Sequence, residues 1–290
     1  MLIISIKEWG HDKRSATVWS GNGYQQDQAQ APYGQQPYPQ YTQNAAGAQR
    51  AFTQQPYMDA TAAYAQDEQA QHTSVTRVYF EMFLGILVTA AVAGLAASQG
   101  WLEAYTAATG RLGFWGLLIA QFIIVVVLSS QVMKMPPAVA RVIFYLYAAS
   151  MGFTLSTVFY VYTLETIGLA LGMSSLFFFV LSMIGLTTKR NLLKFGTILT
   201  AALITLIVVE VLLLIFRVSS GTMIISGISL LLFAGFTMYD AQATRAILNH
   251  YQGQPEMIKR VSIVCALNLY LDFINFFVNL LTLLGGGSRN

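Results

Sequence analysis

Charge is what this sequence has least of. Of 290 residues, 10% are Asp, Glu, Lys or Arg, while 55% are hydrophobic. An ordinary soluble domain carries about 25% charge. A chain this poor in charge cannot cover its own surface with polar groups, which excludes a soluble globule and points to a membrane. Cysteine is nearly absent as well. Cys265 stands alone, which excludes an intramolecular disulfide, and its apolar surroundings read as packing. The three histidines, His11, His72 and His250, make no metal-ligand spacing. Residues 261–284 contain no lysine, which excludes a retinal Schiff base in the last apolar run. The formal net charge of +3 is small, and no nucleic-acid partner is expected.

What is there divides in two. Residues 24–71 hold fourteen Gln, six Tyr and four of the seven Pro, with no apolar period. Such a segment buries too little surface to offset its ordering entropy, so residues 1–76 read as a disordered, cytoplasmic Gln/Tyr/Pro-rich tail. The opening MLIISIKEWGHDKR is not a signal peptide, because its apolar part is short and its charges follow it. From Val78 the chain becomes a series of apolar runs: 78–98, 112–133, 139–163, 166–186, 195–216, 222–250 and 261–284. A bilayer core of ~30 Å needs roughly 20 helical residues. Lipid offers the backbone no water, so each run is expected to be a helix. The expected fold is an all-α membrane protein with seven transmembrane helices over 77–285 and a short polar tail at 286–290. Breaks are expected at Gly100, Gly110, Pro136-Pro137, residues 187–191, Ser219-Ser220-Gly221 and residues 253–255.

Basic residues orient the chain. With a cytoplasmic N-terminus, Arg77, Lys134, Arg141, Lys189, Arg190, Lys194, Arg245, Lys259 and Arg260 fall on or near the inner side. Only Arg111 and Arg217 fall outside, a clear positive-inside bias. The expected location is the cell membrane.

An acid inside an apolar span is a functional hypothesis by default. Glu81 and Glu165 lie near span ends, where solvation is expected. Glu210, in LIVVEVLLLIF, lies well inside the fifth run, either as a packing group or along a pathway. Asp240 and Asp272 are the strongest pair. They lie symmetrically about a turn at residues 253–255, so an antiparallel hairpin places them at one depth. Each joins a polar stripe: Asn268, Asp272, Asn275 and Asn279 on one helix, and Thr237, Asp240 and Thr244 on the other. Two carboxylates this close cannot both ionise cheaply, so they titrate as a unit. That is the chemistry of a proton-sensing latch. It is equally that of a candidate Ca²⁺ site, since oxygen ligands suit a hard cation. It is also the chemistry of a plain clasp between helices.

The same residues carry a resemblance. Tyr239-Asp240-Ala241-Gln242 resembles the YDxQ motif of the Bax inhibitor family, and Leu269-Tyr270-Leu271-Asp272-Phe273-Ile274-Asn275 resembles its LYLDFIN signature. Thr188-Lys189-Arg190-Asn191-Leu192 is similar to its TKRDL loop, with Asn191 where Asp is usual, and residues 147–156 match its third-span pattern. The resemblance covers about 78–285. It implies seven helices bundled around a central C-terminal helix. It also implies a pH-sensitive Ca²⁺ leak with Asp240 and Asp272 as the paired proton sensor. In some relatives an Arg at the inner end of the second helix engages the pair, and the matching position here is Lys134.

Three functions follow as expectations: a pH-gated cation leak or transporter, with Ca²⁺ as the ion passed; a non-transporting membrane regulator with the pair as a clasp; and, ranked lower, an intramembrane aspartyl protease, whose second aspartate would stand in a GxGD motif instead of Leu-Tyr-Leu-Asp. No enzyme activity and no resident cofactor are expected.

Overall fold

The computed structural model of the chain describes residues 55–216 and 222–286. Among these residues the structure is helical and contains no strand. The helices are α1 (Gln55–Gln99), α2 (Trp101–Gln131), α3 (Pro137–Leu155), the single turn α4 (Val158–Val161), α5 (Leu164–Thr187), α6 (Gly196–Phe216), α7 (Thr222–His250) and α8 (Pro255–Gly286). Seven stretches are long and apolar enough to cross a bilayer: Ser74–Gln99, Leu112–Gln131, Pro137–Val161, Leu164–Thr187, Leu193–Leu213, Met223–His250 and Pro255–Gly286. They coincide with the seven apolar runs read from the sequence. Residues 1–54, Arg217, the break at residues 219–221 and residues 287–290 lie outside the described residues.

The helix boundaries follow local chemistry. Gly100, Gly110 and Gly253 have φ of 63°, 65° and 82°, a region open to glycine at little cost. Gly100 separates α1 from α2, and Gly110 kinks α2. Pro136 is extended and Pro137 opens α3, where its missing N–H costs nothing. The Thr163 hydroxyl accepts from the Thr166 N–H and caps α5. Inside the third span, Ser156 and Thr157 donate to the carbonyls of Phe153 and Thr154. These local bonds compete with the helical ladder, and the helix breaks there before resuming as α4.

Two boundaries differ from expectation. α1 starts at Gln55, well inside the segment read as disordered to residue 76. After Pro56 the chain has no Gly or Pro until Gly85, and its run of Ala, Gln and Glu favours a helix even without an apolar face. The stretch before Gln71 groups apart from the bundle. The connection expected over 100–111 is itself helical on both sides of Gly110.

The bundle is built around α8. In that helix 72% of the apolar stretch is buried, against 11–33% in the other six spans. It packs against α7, α5 and α3, and α1 meets it where Thr89 bonds Tyr270. One core cluster joins Leu128, Phe144, Leu267 and Tyr270, and a second joins Leu206, Phe233, Phe236, Phe276 and Leu280. The remaining large apolar side chains, such as Leu176, Phe179, Ile198 and Leu231, face outward, as lipid contact requires.

Close helix approach depends on glycine at specific contacts. A Cβ on Gly152 would collide with the Thr89 carbonyl on α1, and one on Gly185 with the Met238 carbonyl on α7. Backbone cannot yield as a flexible side chain does. Gly152→Val and Gly185→Val should each cost roughly 1–3 kcal/mol through overpacking, whereas Gly172, which has open space, should accept Ala without loss. Thermal melting of the purified protein in detergent checks this, with equal melting of all three variants as the contrary result.

Candidate functional site

Four successive residues of α7 each do a different job. Tyr239 packs its hydroxyl end against Gly196 at the start of α6. Asp240 turns to α8, where its carboxyl faces that of Asp272 at close range. Ala241, fully buried, fills the space beside Gly185 on α5. Gln242 reaches the connection between α5 and α6: its Oε1 accepts from the Leu192 N–H at 2.6 Å, and its Nε2 donates to the Arg190 carbonyl at 2.8 Å. A helix places consecutive side chains about 100° apart, so one turn serves α8, α5 and the α5–α6 connection together.

The aspartate pair lies in the interior of this arrangement. Asp272 is 4% exposed and Asp240 is partly exposed. Asp272 Oδ2 is buried without a hydrogen-bond partner. Two like charges at this range disfavour double ionisation, and a proton shared between the carboxyls relieves it. Around the pair stand Cys265 on α8, whose thiol faces the Thr244 hydroxyl, and Tyr79 on α1, whose hydroxyl faces Ser182 on α5. The Tyr79 and Ser182 hydroxyl oxygens are buried, with no hydrogen bond of good geometry in this conformation.

The stripe residues divide. Thr237 and Thr244 are buried on the α8-facing side of α7. Thr237 donates to the Phe233 carbonyl, Asn275 to Leu271 and Asn279 to Asn275, so these donors are satisfied along their own helices. Asn268 Oδ1 is buried and unpartnered. Glu210 is exposed on α6, with its carboxyl toward Ser229 of α7. Lys134 is exposed, and among the described residues no ion pair joins it to an aspartate. Among the described residues no three His, Cys, Asp or Glu side chains converge as a metal cluster. The two carboxylates are therefore the only acidic ligands that the site offers a cation there.

Several contacts were not foreseen. Glu81, read as solvated, is 7% exposed. It pairs with Arg141 Nη2 at 2.7 Å and accepts from the Tyr145 hydroxyl at 2.6 Å, tying α1 to α3. Arg245, expected from the sequence on the inner side, donates to the Leu186 carbonyl at the end of α5 at 2.7 Å. Arg260 donates to the Met133 carbonyl at the end of α2. Arg245 sits on a helix C-terminal carbonyl, which the helix leaves unpaired, and Arg260 on one in the turn just past α2. Thr89 bonds the Tyr270 hydroxyl at 2.6 Å and the Ala148 carbonyl at 2.9 Å, joining α1, α3 and α8.

Six apolar spans packed around a seventh, the buried terminal helix, with facing aspartates on its hairpin, define a multi-pass helical membrane protein with an intramembrane acidic pair. The sequence profile of the family described as "Inhibitor of apoptosis-promoting Bax1" matches residues 71–290, and the chain belongs to this Bax inhibitor family. It is 35% identical over 214 residues to the inner membrane protein YbhL of Escherichia coli K12, covering 73% of this chain and 91% of that protein. It is 36% identical over 219 residues to an uncharacterized protein of Deinococcus radiodurans, covering 75% and 91%, and 31% identical over 211 residues to one of Borreliella burgdorferi, covering 73% and 90%.

The Glu81 triad gives a direct test. Removing the charge from Glu81 strands Arg141, but part of that side chain reaches solvent, so the full cost of a buried broken pair does not apply. Glu81→Gln should cost roughly 1–3 kcal/mol, and Tyr145→Phe about 1 kcal/mol. Melting in detergent at neutral pH measures both. An unchanged midpoint for Glu81→Gln would mean that the triad does not fasten α1 to α3.

Proposed function

We propose that the protein is a pH-sensitive leak for cations, Ca²⁺ foremost, gated by the Asp240–Asp272 pair. The observation that carries this reading is the pair itself: two carboxyls face each other across the α7–α8 hairpin inside the span. A group this costly to bury reports protonation, binds a cation or both. Gain or loss of the shared proton changes the force between α7 and α8, so hairpin packing becomes a function of pH. Oxygen ligands and negative charge favour a hard divalent cation in passage. Asn268, with its unpartnered Oδ1 one turn from Asp272, and the exposed Glu210 extend the oxygen-bearing positions on either side. Lys134 is the candidate latch cation and would have to leave its exposed position to engage. A lysine lacks the bidentate fork of arginine, so that latch is weak. The N-terminus is cytoplasmic in this reading, with the basic connections inside. No reaction is assigned to the pair, and no resident cofactor.

A second reading makes the pair a clasp in a non-transporting regulator. It is favoured by the absence, among the described residues, of a group of three His, Cys, Asp or Glu side chains arranged to hold a metal ion. The experiment that separates them is Ca²⁺ flux in proteoliposomes measured from about pH 5 to about pH 8, above the ordinary carboxylate range. Wild type should pass Ca²⁺ with a steep pH dependence. Asp240→Asn and Asp272→Asn should each flatten it, because an amide cannot exchange the proton. Absence of flux at every pH sinks the leak and leaves the clasp. Covalent capture by an aspartyl-protease inhibitor would overturn both.

A further inference from the structure

Gln242 does more than sit near the acidic pair. Its carboxamide is a two-point clamp on the α5–α6 connection, accepting from Leu192 N–H and donating to Arg190 carbonyl. The connection has little else to hold it. Asn191 Oδ1 turns back to accept from Leu193 N–H, and Thr188 Oγ1 accepts from Arg190 N–H, so its other side-chain bonds are internal. Lys189, Arg190, Asn191 and Lys194 are exposed. Tyr239 packs on Gly196 just beyond the connection, and Arg245 holds Leu186 just before it. Three side chains of one α7 stretch thus grip the 186–196 segment, and the aspartate of the pair lies between the first two.

We propose that Gln242 is a positioning residue for the acidic pair: its clamp on Arg190 and Leu192 fixes the axial rotation and height of the α7 turn that presents Asp240 to Asp272. The inference deepens the leak reading and rests on it for the link to flux, but the clamp is testable without flux. The groups that face Asp240 are Asp272 and Cys265 from α8 and Tyr79 from α1, while α5 presents Ser182. The cations of the connection, Lys189 and Arg190, point to solvent. Gln242 itself carries no charge, so its effect on the pair is geometric. When the clamp opens, the α7 turn is free to rotate against α8 and the two carboxyls separate.

Chemistry distinguishes the substitutions. Alanine removes both bonds. Glutamate keeps the acceptor for Leu192 N–H at every pH but offers a donor to the Arg190 carbonyl only when protonated. Hydrogen–deuterium exchange of the protein in nanodiscs, read by mass spectrometry on peptides covering 186–196 and 236–246, tests the clamp against wild type at matched pH. Gln242→Ala should speed exchange at both segments by about fivefold, the factor expected from losing one to two ordinary hydrogen bonds. Gln242→Glu should approach wild-type protection near pH 4 and fall between wild type and Gln242→Ala near pH 8, roughly either side of a carboxyl's titration range, because the bond from Leu192 N–H survives ionisation and the bond to the Arg190 carbonyl does not. In the flux assay Gln242→Ala should displace the pH midpoint by half a unit or more (about 0.7 kcal/mol), while Ca²⁺ still passes. Unchanged exchange at 186–196 in Gln242→Ala overturns the clamp. Faster exchange there with 236–246 and the pH midpoint both as in wild type overturns the positioning role. A wild type without flux sinks the leak reading only, and exchange at 236–246 then decides the positioning claim alone.

Discussion

The constraint on which the structure depends is that lipid offers no hydrogen-bond partner, so every polar group in a span must be answered from within the protein. Asp272 on the most buried helix poses this problem most acutely. Its answer is a second carboxyl on the neighbouring helix, which is an answer only while at least one of the two holds a proton. The packing around α8 keeps Asp272 buried. The Thr89 hydroxyl closes on Tyr270 two residues before Asp272, the aromatic rings of Phe144 and Tyr147 meet Tyr270 edge-on, and Phe178 meets Phe273 in the same way. These contacts hold α8 from three sides, so that the fourth, facing α7, carries the polar stripe.

The rim of the bundle solves the same problem with longer side chains. Where helices end, carbonyls lose their partners, and this protein satisfies several of them with distant cations and amides. Arg260 serves Met133, Arg245 serves Leu186 and Gln242 serves Arg190. The basic bias that orients a membrane protein is therefore not only a matter of headgroups. Two of the basic residues, Arg245 and Arg260, are consumed in bonds to carbonyls at the end of α5 and just past the end of α2. The structure thereby couples the connections at that end to the helices that carry the aspartates.

How far this was legible depends on the range of each interaction. The seven spans were readable because length and hydropathy are local properties. The turns at Gly100, Gly110 and Gly253 were readable because positive φ demands a particular residue. The aspartate pair was readable because an acid in an apolar run stands out and a hairpin makes its geometry simple. The Glu81–Arg141–Tyr145 triad was not, since Glu81 lies 60 or more residues from the other two and is close enough to a span end to pass as solvated. Arg260 and Met133 are separated by 127 positions, and nothing in the sequence indicates that they meet. The start of α1 at Gln55 was missed for another reason. Apolar periodicity detects helices that pack, and that stretch has the propensity of a helix without the face of one.

The YDxQ motif shows why a resemblance and a physical reading converge without being the same. By sequence alone Asp240 is its chemical residue and the others are flanking letters. In three dimensions each letter meets a different neighbour, and all four sit on a single helical turn. Asn191 makes the same point from the opposite side. The family pattern has an acid there, yet the shorter task of capping Leu193 N–H needs only a side-chain oxygen, which Asn supplies. The loop can lose that charge and keep its fold because the bonds that register it on α7 come from Gln242 and run to its backbone, not to its side chains.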